Sequence, residues 1–121
     1  PVDVFVTHLS HLDPPNPVRE AQAAELAGWL GQSRHPWILL GDFNATPDSA
    51  EIQLIEKLAH PLFRSQPKLL QINSFPAIKP TRRIDYIFFS SEFSLKKMNV
   101  LDNGGTTDHR PVYAELELKK K

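Results

Sequence analysis

Trp37-Ile38-Leu39-Leu40 is the stretch that most limits the fold. Four apolar residues run without a polar break between His35-Pro36 and Gly41-Asp42. A run this short and continuous reads as a strand covered on both faces. Such a strand needs layers above and below it, and the segment before it offers one. From Val18 to about Ser33, Ala21, Ala24, Ala27, Leu26 and Leu30 recur at helical spacing among good helix formers. Further upstream, Val2–His8 alternates Val2, Val4, Val6 and His8 on one face with Asp3, Phe5 and Thr7 on the other, the period of a strand. His8 shares the valine face and is expected to be half-buried there. Residues 11–17 hold three prolines and an Asn and read as a loop.

A second helix is expected after the apolar run. Thr46 stands as its N-cap, Pro47 at its first position, and Asp48 and Glu51 in its first turn. It would reach about Ala59 and bury Ile52, Ile55, Leu58 and Ala59. Residues 60–83 contain Pro61, Pro67, Pro76 and Pro80 and little periodicity, so a long functional loop is expected. Ile84–Phe89 reads as a strand apolar on both faces except for Asp85. Phe93–Leu101 reads as a more exposed strand, Asp102–Arg110 as a glycine-containing loop, and Val112–Leu118 as a closing strand. The order β-α-β-α-loop-β-β-β implies a layered α/β (α+β) fold, a β-sheet with flanking helices, in one domain over residues 1–121.

Composition narrows the chemistry. The chain has no Cys, which removes disulfide scaffolds, thiolate zinc sites and cysteine nucleophiles. No stretch approaches the ~18 consecutive apolar residues of a membrane span, and no leader pattern opens the chain, so a soluble, cytoplasmic protein is expected. The formal net charge of +0 hides an asymmetry. Residues 1–60 carry three bases against eight acids, and residues 61–121 carry eleven bases against six acids, including the basic tail Lys119 to Lys121. A basic half favours phosphate-bearing ligands, although two differently solvated faces explain it equally well.

Four polar clusters fall at strand ends or in the turns that follow, where open α/β sheets place their sites. The first is Thr7-His8-Leu9, although a single His on such a face is commonly a hydrogen-bonded core residue. In Gly41-Asp42-Phe43-Asn44, a carboxylate and a carboxamide two residues apart can face one cleft. Asp accepts a proton and Asn donates to an anion, the pair a hydrolase needs to aim water at phosphorus. The same four residues also suit a plain exit turn. In Arg83-Ile84-Asp85-Tyr86, a carboxylate in an apolar strand demands a partner, a His or an Arg. In Thr107-Asp108-His109-Arg110-Pro111, adjacent Asp and His can serve a cation and a substrate oxygen, and a carboxylate such as Asp85 can fix the His tautomer.

In this order the clusters resemble the endonuclease/exonuclease/phosphatase superfamily, with its deoxyribonuclease-I-like sandwich. The matching residues are Thr7-His8-Leu9 with Arg19 and Gln22, Gly41-Asp42-Phe43-Asn44-Ala45-Thr46-Pro47, Ser74-Phe75-Pro76, Arg83-Ile84-Asp85-Tyr86-Ile87-Phe88, and Thr107-Asp108-His109-Arg110-Pro111-Val112. Thr107 stands where Ser is usual, and keeps the hydroxyl. The resemblance implies that Asp42 orients or deprotonates the attacking water and that Asn44 holds a phosphate oxygen. His109 would stabilise transition-state charge, Asp85 would orient His109, and His8 would contact the phosphate from the opposite wall. Asp108 and Asp42 would lie at a Mg²⁺ or Mn²⁺. The resemblance further implies that this chain is the C-terminal half of the domain, one half of the sandwich. The Glu that serves the family as principal metal ligand would lie in the other half.

Two readings follow. One is a metal-dependent phosphoesterase, acting by in-line water attack on a nucleic acid, a phospholipid headgroup or a small phosphate ester, and incomplete as this chain alone. The other is a catalytically silent half-domain that binds or assembles. In either case the expected partner is the missing N-terminal half or a second copy of the chain. The zero net charge argues against a strong nonspecific duplex binder, while Arg82-Arg83 and the basic half leave nucleic acid open. A zinc hydrolase on His8, His11 and Asp13 fits poorly, because a His-x-x-His pair on one strand points to opposite faces and the prolines favour a loop.

Overall fold

The computed structural model describes residues 1–12 and 15–120. Asp13 of the zinc alternative, Pro14 of the expected loop and Lys121 of the basic tail lie outside the described residues. Among the described residues, five strands and three α-helices follow the expected order, except that the third helix lies where a loop was expected. They are β1 (Asp3–His8), α1 (Pro17–Gln32), β2 (Trp37–Asp42), α2 (Ala50–Glu56), α3 (Leu62–Ser65), β3 (Asp85–Phe89), β4 (Phe93–Val100) and β5 (Val112–Leu118). The strands form two ladders rather than one. β1 pairs in parallel with β2, from Asp3 opposite Trp37 to His8 opposite Asp42. β2 pairs antiparallel with β3, from Ile38 opposite Phe89 to Asp42 opposite Asp85. β4 and β5 form a separate antiparallel pair, with Phe93 opposite Leu118 and Val100 opposite Val112.

The parallel β1–β2 pair requires a crossover, and α1 supplies it. Asn16 caps the helix by accepting from the Arg19 N–H, and Pro17 occupies its first turn. Its buried stripe is Arg19, Ala23, Leu26 and Leu30. Ala21 and Ala24, expected on that stripe, are exposed, because the stripe that meets the sheet is set by Leu26 and Leu30.

The second helix starts three residues later than expected. The Thr46 hydroxyl is spent on the Asp48 carboxylate, the Ser49 N–H closes a turn on the Thr46 carbonyl, and Ser49 becomes the cap of Ile52. Residues 60–83 are more ordered than a bare loop, with α3 and a 3₁₀ turn over Pro67–Leu70.

The core lies between the helices and one face of the β1–β3 sheet. Leu39, Phe43, Ile52, Ile55, Phe63 and Phe88 are fully buried there. Phe43 meets Tyr86 and Phe88 edge to face, at 5.3 and 5.8 Å between ring centroids, the geometry aromatic quadrupoles favour. The opposite face of the sheet carries Val4, Val6, Ile38, Leu40 and Ile87. Val4 and Val6 are 60% and 76% exposed. The face that alternation assigned to the valines and His8 is therefore the open one, and His8 is not half-buried: its side chain is 75% exposed. Among the described residues, no helix is long and apolar enough to cross a membrane.

Candidate active site

Strand register builds the site. His8, Asp42 and Asp85 are cross-strand neighbours in one row, since His8 pairs with Asp42 and Asp42 with Asp85. Residues two apart on a strand share a face, so this row continues the apolar rows of Val6, Leu40 and Ile87 on the open face.

Gly41 allows the row to close up. Its φ is +148°, and a Cβ there would stand 1.9 Å from the backbone oxygen of Thr7. Only glycine lets β1 and β2 approach at this pair. The next pair then brings His8 Nε2 to 3.6 Å from Asp42 Oδ2.

Beyond the strand, the turn is fixed by its own polar groups. The Asn44 N–H donates to Asp42 Oδ1 at 2.9 Å, and the Asn44 carboxamide N–H donates to the Leu9 carbonyl at 2.8 Å. Asn44 has a positive φ of 48°, a conformation Asn tolerates well. Leu9 in turn donates its N–H to the Asp42 carbonyl. The ends of β1 and β2 are thus locked to each other.

His109 arrives from the β4–β5 side and lies between two carboxylates. Its Nδ1 is 2.8 Å from Asp85 Oδ2 and its Nε2 is 3.6 Å from Asp42 Oδ2. Partial burial works against the charged ring, but the hydrogen bond to Asp85 and the negative charges of Asp85, Asp42 and Asp108 outweigh it. The His109 pKa is raised above the ordinary imidazole value. Asp85 thus has a His partner, one of the options its sequence setting demanded, rather than an arginine. The loop that carries His109 braces itself. Asn103 donates to Thr107 Oγ1 and to the His109 carbonyl, to which Thr107 also donates.

A cleft of about 520 Å³ opens over these groups and is lined by His8, Asp42, Asn44, Asp108 and His109 among others. The five catalytic candidates of the sequence reading are therefore brought together, His8 and Asn44 on one wall and His109 on the other. Asp108, exposed, lies at the same cleft with its carbonyl held by the Ala77 N–H. Among the described residues, the ligand-capable atoms within 4.8 Å of one another belong to Asp42, Asp85 and His109. His11 lines the cleft but is not in that group.

Three residues given no role from sequence also belong here. Phe75 lies 4.7 Å from the His109 ring, and the Arg82 guanidinium stands over Phe75 at 5.1 Å. Ser74 donates to Asp85. The Ser74-Phe75-Pro76 triplet was the available signal for two of them.

The sequence profile of the endonuclease/exonuclease/phosphatase family matches residues 1–109. The chain belongs to this family. The matched span includes every residue of the row, the turn and His109. No curated protein matches the chain.

Solved structures give the fold. A conserved protein of unknown function from Enterococcus faecalis is similar at 23% identity and a TM-score of 0.75, over 96% of this chain and 50% of that one. A mannosyl-6-phosphatase from Bacteroides thetaiotaomicron is similar at 24% identity and a TM-score of 0.72, over 95% and 51%. The catalytic domain of human nocturnin, with bound sulfate, is similar at 20% and 0.70, over 94% and 46%. The chain spans about half the length of these structures and carries the layered α/β fold of half a deoxyribonuclease-I-like domain.

Proposed function

We propose that the chain carries the water-activating and phosphate-holding half of a divalent-cation-dependent phosphoester hydrolase. The observation that supports this most is the seat of His109, bonded to Asp85 at Nδ1 and facing Asp42 at Nε2. The hydrogen bond to Asp85 and the neighbouring carboxylates raise its pKa and favour the charged ring. A charged imidazole donates to a phosphate oxygen more strongly than a neutral one, and gains most where charge develops in the transition state.

The remaining roles follow from position. Asp42 accepts the proton of the attacking water. The second N–H of the Asn44 carboxamide donates to a non-bridging oxygen, since the first is held by Leu9. His8, exposed on the far wall, meets the phosphate from the other side. Asp85 holds the His109 ring in orientation and is not free for other work.

The donor set at the cleft suits a hard cation. Mg²⁺ and Mn²⁺ take oxygen ligands, and Mg²⁺ commonly takes only one or two protein carboxylates beside its waters. Asp42 and Asp108 would hold the ion, and Asp85 and His109 would not, because Asp85 Oδ2 and His109 Nδ1 already satisfy each other. When bound, the ion neutralises phosphate charge.

The mannosyl-6-phosphatase and the sulfate of nocturnin favour a phosphate ester substrate with an accessible tetrahedral anion. Nucleic acid and phospholipid headgroups remain within the same chemistry. Hydrolysis of bis(p-nitrophenyl) phosphate and p-nitrophenyl phosphate with Mg²⁺ or Mn²⁺, by the chain supplied with the other half of the domain, tests the reading. Asp42→Ala and His109→Ala should each lower the rate by roughly 10²–10³-fold. Equal rates for all three proteins remove it.

The open face of β1–β3 favours a covering layer. The occupant we propose is the other half of the sandwich, and a second copy of the chain is the alternative. Light scattering separates them: a monodisperse monomer at micromolar concentration excludes the second copy.

A further inference from the structure

The geometry points to Ser74 as a positioning residue that aims the Asp85 carboxylate, and through it His109. Ser74 is fully buried. A hydroxyl has one proton to donate and two lone pairs to accept with. Both lone pairs of Ser74 Oγ are filled from the backbone, by the N–H groups of Ile84 at 3.1 Å and Asp85 at 3.3 Å. The hydroxyl proton therefore has one destination, Asp85 Oδ2 at 2.9 Å. That same oxygen accepts from His109 Nδ1 at 2.8 Å. Two donors from different elements fix the carboxylate, and a fixed carboxylate fixes the ring.

The backbone around Ser74 strengthens the arrangement. Its N–H donates to the Arg82 carbonyl at 2.8 Å, and its carbonyl accepts from the Arg110 N–H at 2.7 Å. Three residues on, Ala77 donates its N–H to the Asp108 carbonyl at 2.8 Å and accepts from Arg110 Nε at 2.8 Å. Phe75, between them, packs its ring against His109. Residues 74–77 thus grip both partners of the pair. The hydroxyl holds the strand that carries Asp85, and the backbone holds the loop that carries His109. The chemistry of the cleft then depends on a residue that never faces it.

This assignment rests on reading Asp85 and His109 as a working pair, but its test needs no turnover. Ser74→Thr and Ser74→Val have the same shape and differ in the hydroxyl alone. Proton–nitrogen NMR of the His109 ring, with thermal melting as the control for folding, reads the outcome. The wild-type chain and Ser74→Thr should show a slowly exchanging Nδ1–H. In Ser74→Val that proton should exchange roughly tenfold faster or more, the loss of one net hydrogen bond. Equal exchange in the two folded variants overturns the proposal. Should neither variant fold, the wild-type chain decides. A Ser74 hydroxyl proton protected from exchange, with a cross-peak to the His109 Nδ1–H, supports the assignment, and one in fast exchange overturns it. Inactivity on every phosphoester, with the other half of the domain supplied, would instead sink the hydrolase reading and leave these NMR outcomes unchanged.

Discussion

The two faces of the β1–β3 sheet carry similar residues and have different surroundings. On one, Phe5, Leu39, Phe88 and their neighbours meet α1, α2 and α3, and the strand centres are dry. On the other, Val4, Val6, Leu40 and Ile87 form rows just as apolar, yet Val6 is among the most exposed large hydrophobics of the described chain. Only the second face carries the row of His8, Asp42 and Asp85 at its end. The helix-covered face holds the sheet together. The open face holds the chemistry, at the border where an apolar surface turns polar. Residues that cost stability and residues that cost function should therefore separate by face.

Phe88→Ala should give the largest effect. Phe88 is fully buried between Phe43 and Phe63, and such truncations cost about 3–5 kcal/mol. Urea unfolding measures it. A loss below about 1 kcal/mol would mean that the covered face is not the core.

Gly41→Ala tests the joint between the faces. The added Cβ would meet the Thr7 backbone oxygen, and φ +148° strains any side chain. About 3 kcal/mol of backbone strain is expected, together with separation of His8 from Asp42. Thermal melting reads the first, and chemical-shift change at His8 the second. An unperturbed His8 in a folded variant would remove Gly41 from the site.

The sequence made some of this legible and hid the rest for identifiable reasons. Alternation in residues 2–8 establishes which residues share a face of β1, but it does not say which face meets the helices, so a half-buried His8 and an open one read alike. Thr46-Pro47 had the chemistry of a helix start, and a local competitor, Asp48, took its hydroxyl. The need of Asp85 for a partner was readable from its apolar strand. That the partner is His109 rather than an arginine came from family resemblance, since 24 residues separate them. Ser74 acts through hydrogen bonds that span 8 to 36 residues, and no local pattern signals such contacts. The Arg19–Glu51 pair, 3.4 Å apart and buried, joins α1 to α2 in the same way.

The pH dependence of stability gives a smaller effect and reports on the open face. A folded-state pKa raised above 6.5 means that His109 contributes stability fully present below pH 6.5 and lost as pH rises through the raised value. His60 works in the opposite sense. Burial, with Lys119 adding, lowers its pKa below 6.5, so its effect changes only on the acidic side of that value. The two windows do not overlap. The melting-temperature difference between the wild type and His109→Gln should therefore shrink as pH rises above 6.5. A difference that stays flat there would show that His109 is not held charged between Asp85 and Asp42.

Val6→Ser should give the smallest effect, and it sharpens the contrast most. Fully burying a Val side chain is worth about 1.5–3 kcal/mol, but at 76% exposure Val6 retains little of that. The free chain should lose no more than about 0.5 kcal/mol. The same substitution should cost more wherever another layer covers the face, because the hydroxyl would then be buried without a partner. Urea unfolding of the chain at two concentrations, tenfold apart, distinguishes the cases. A small, concentration-independent change means that the free chain leaves this face open to water. A loss above about 1 kcal/mol that grows with concentration means that a second copy already covers it, and the face beside His8, Asp42 and Asp85 would then belong to an interface.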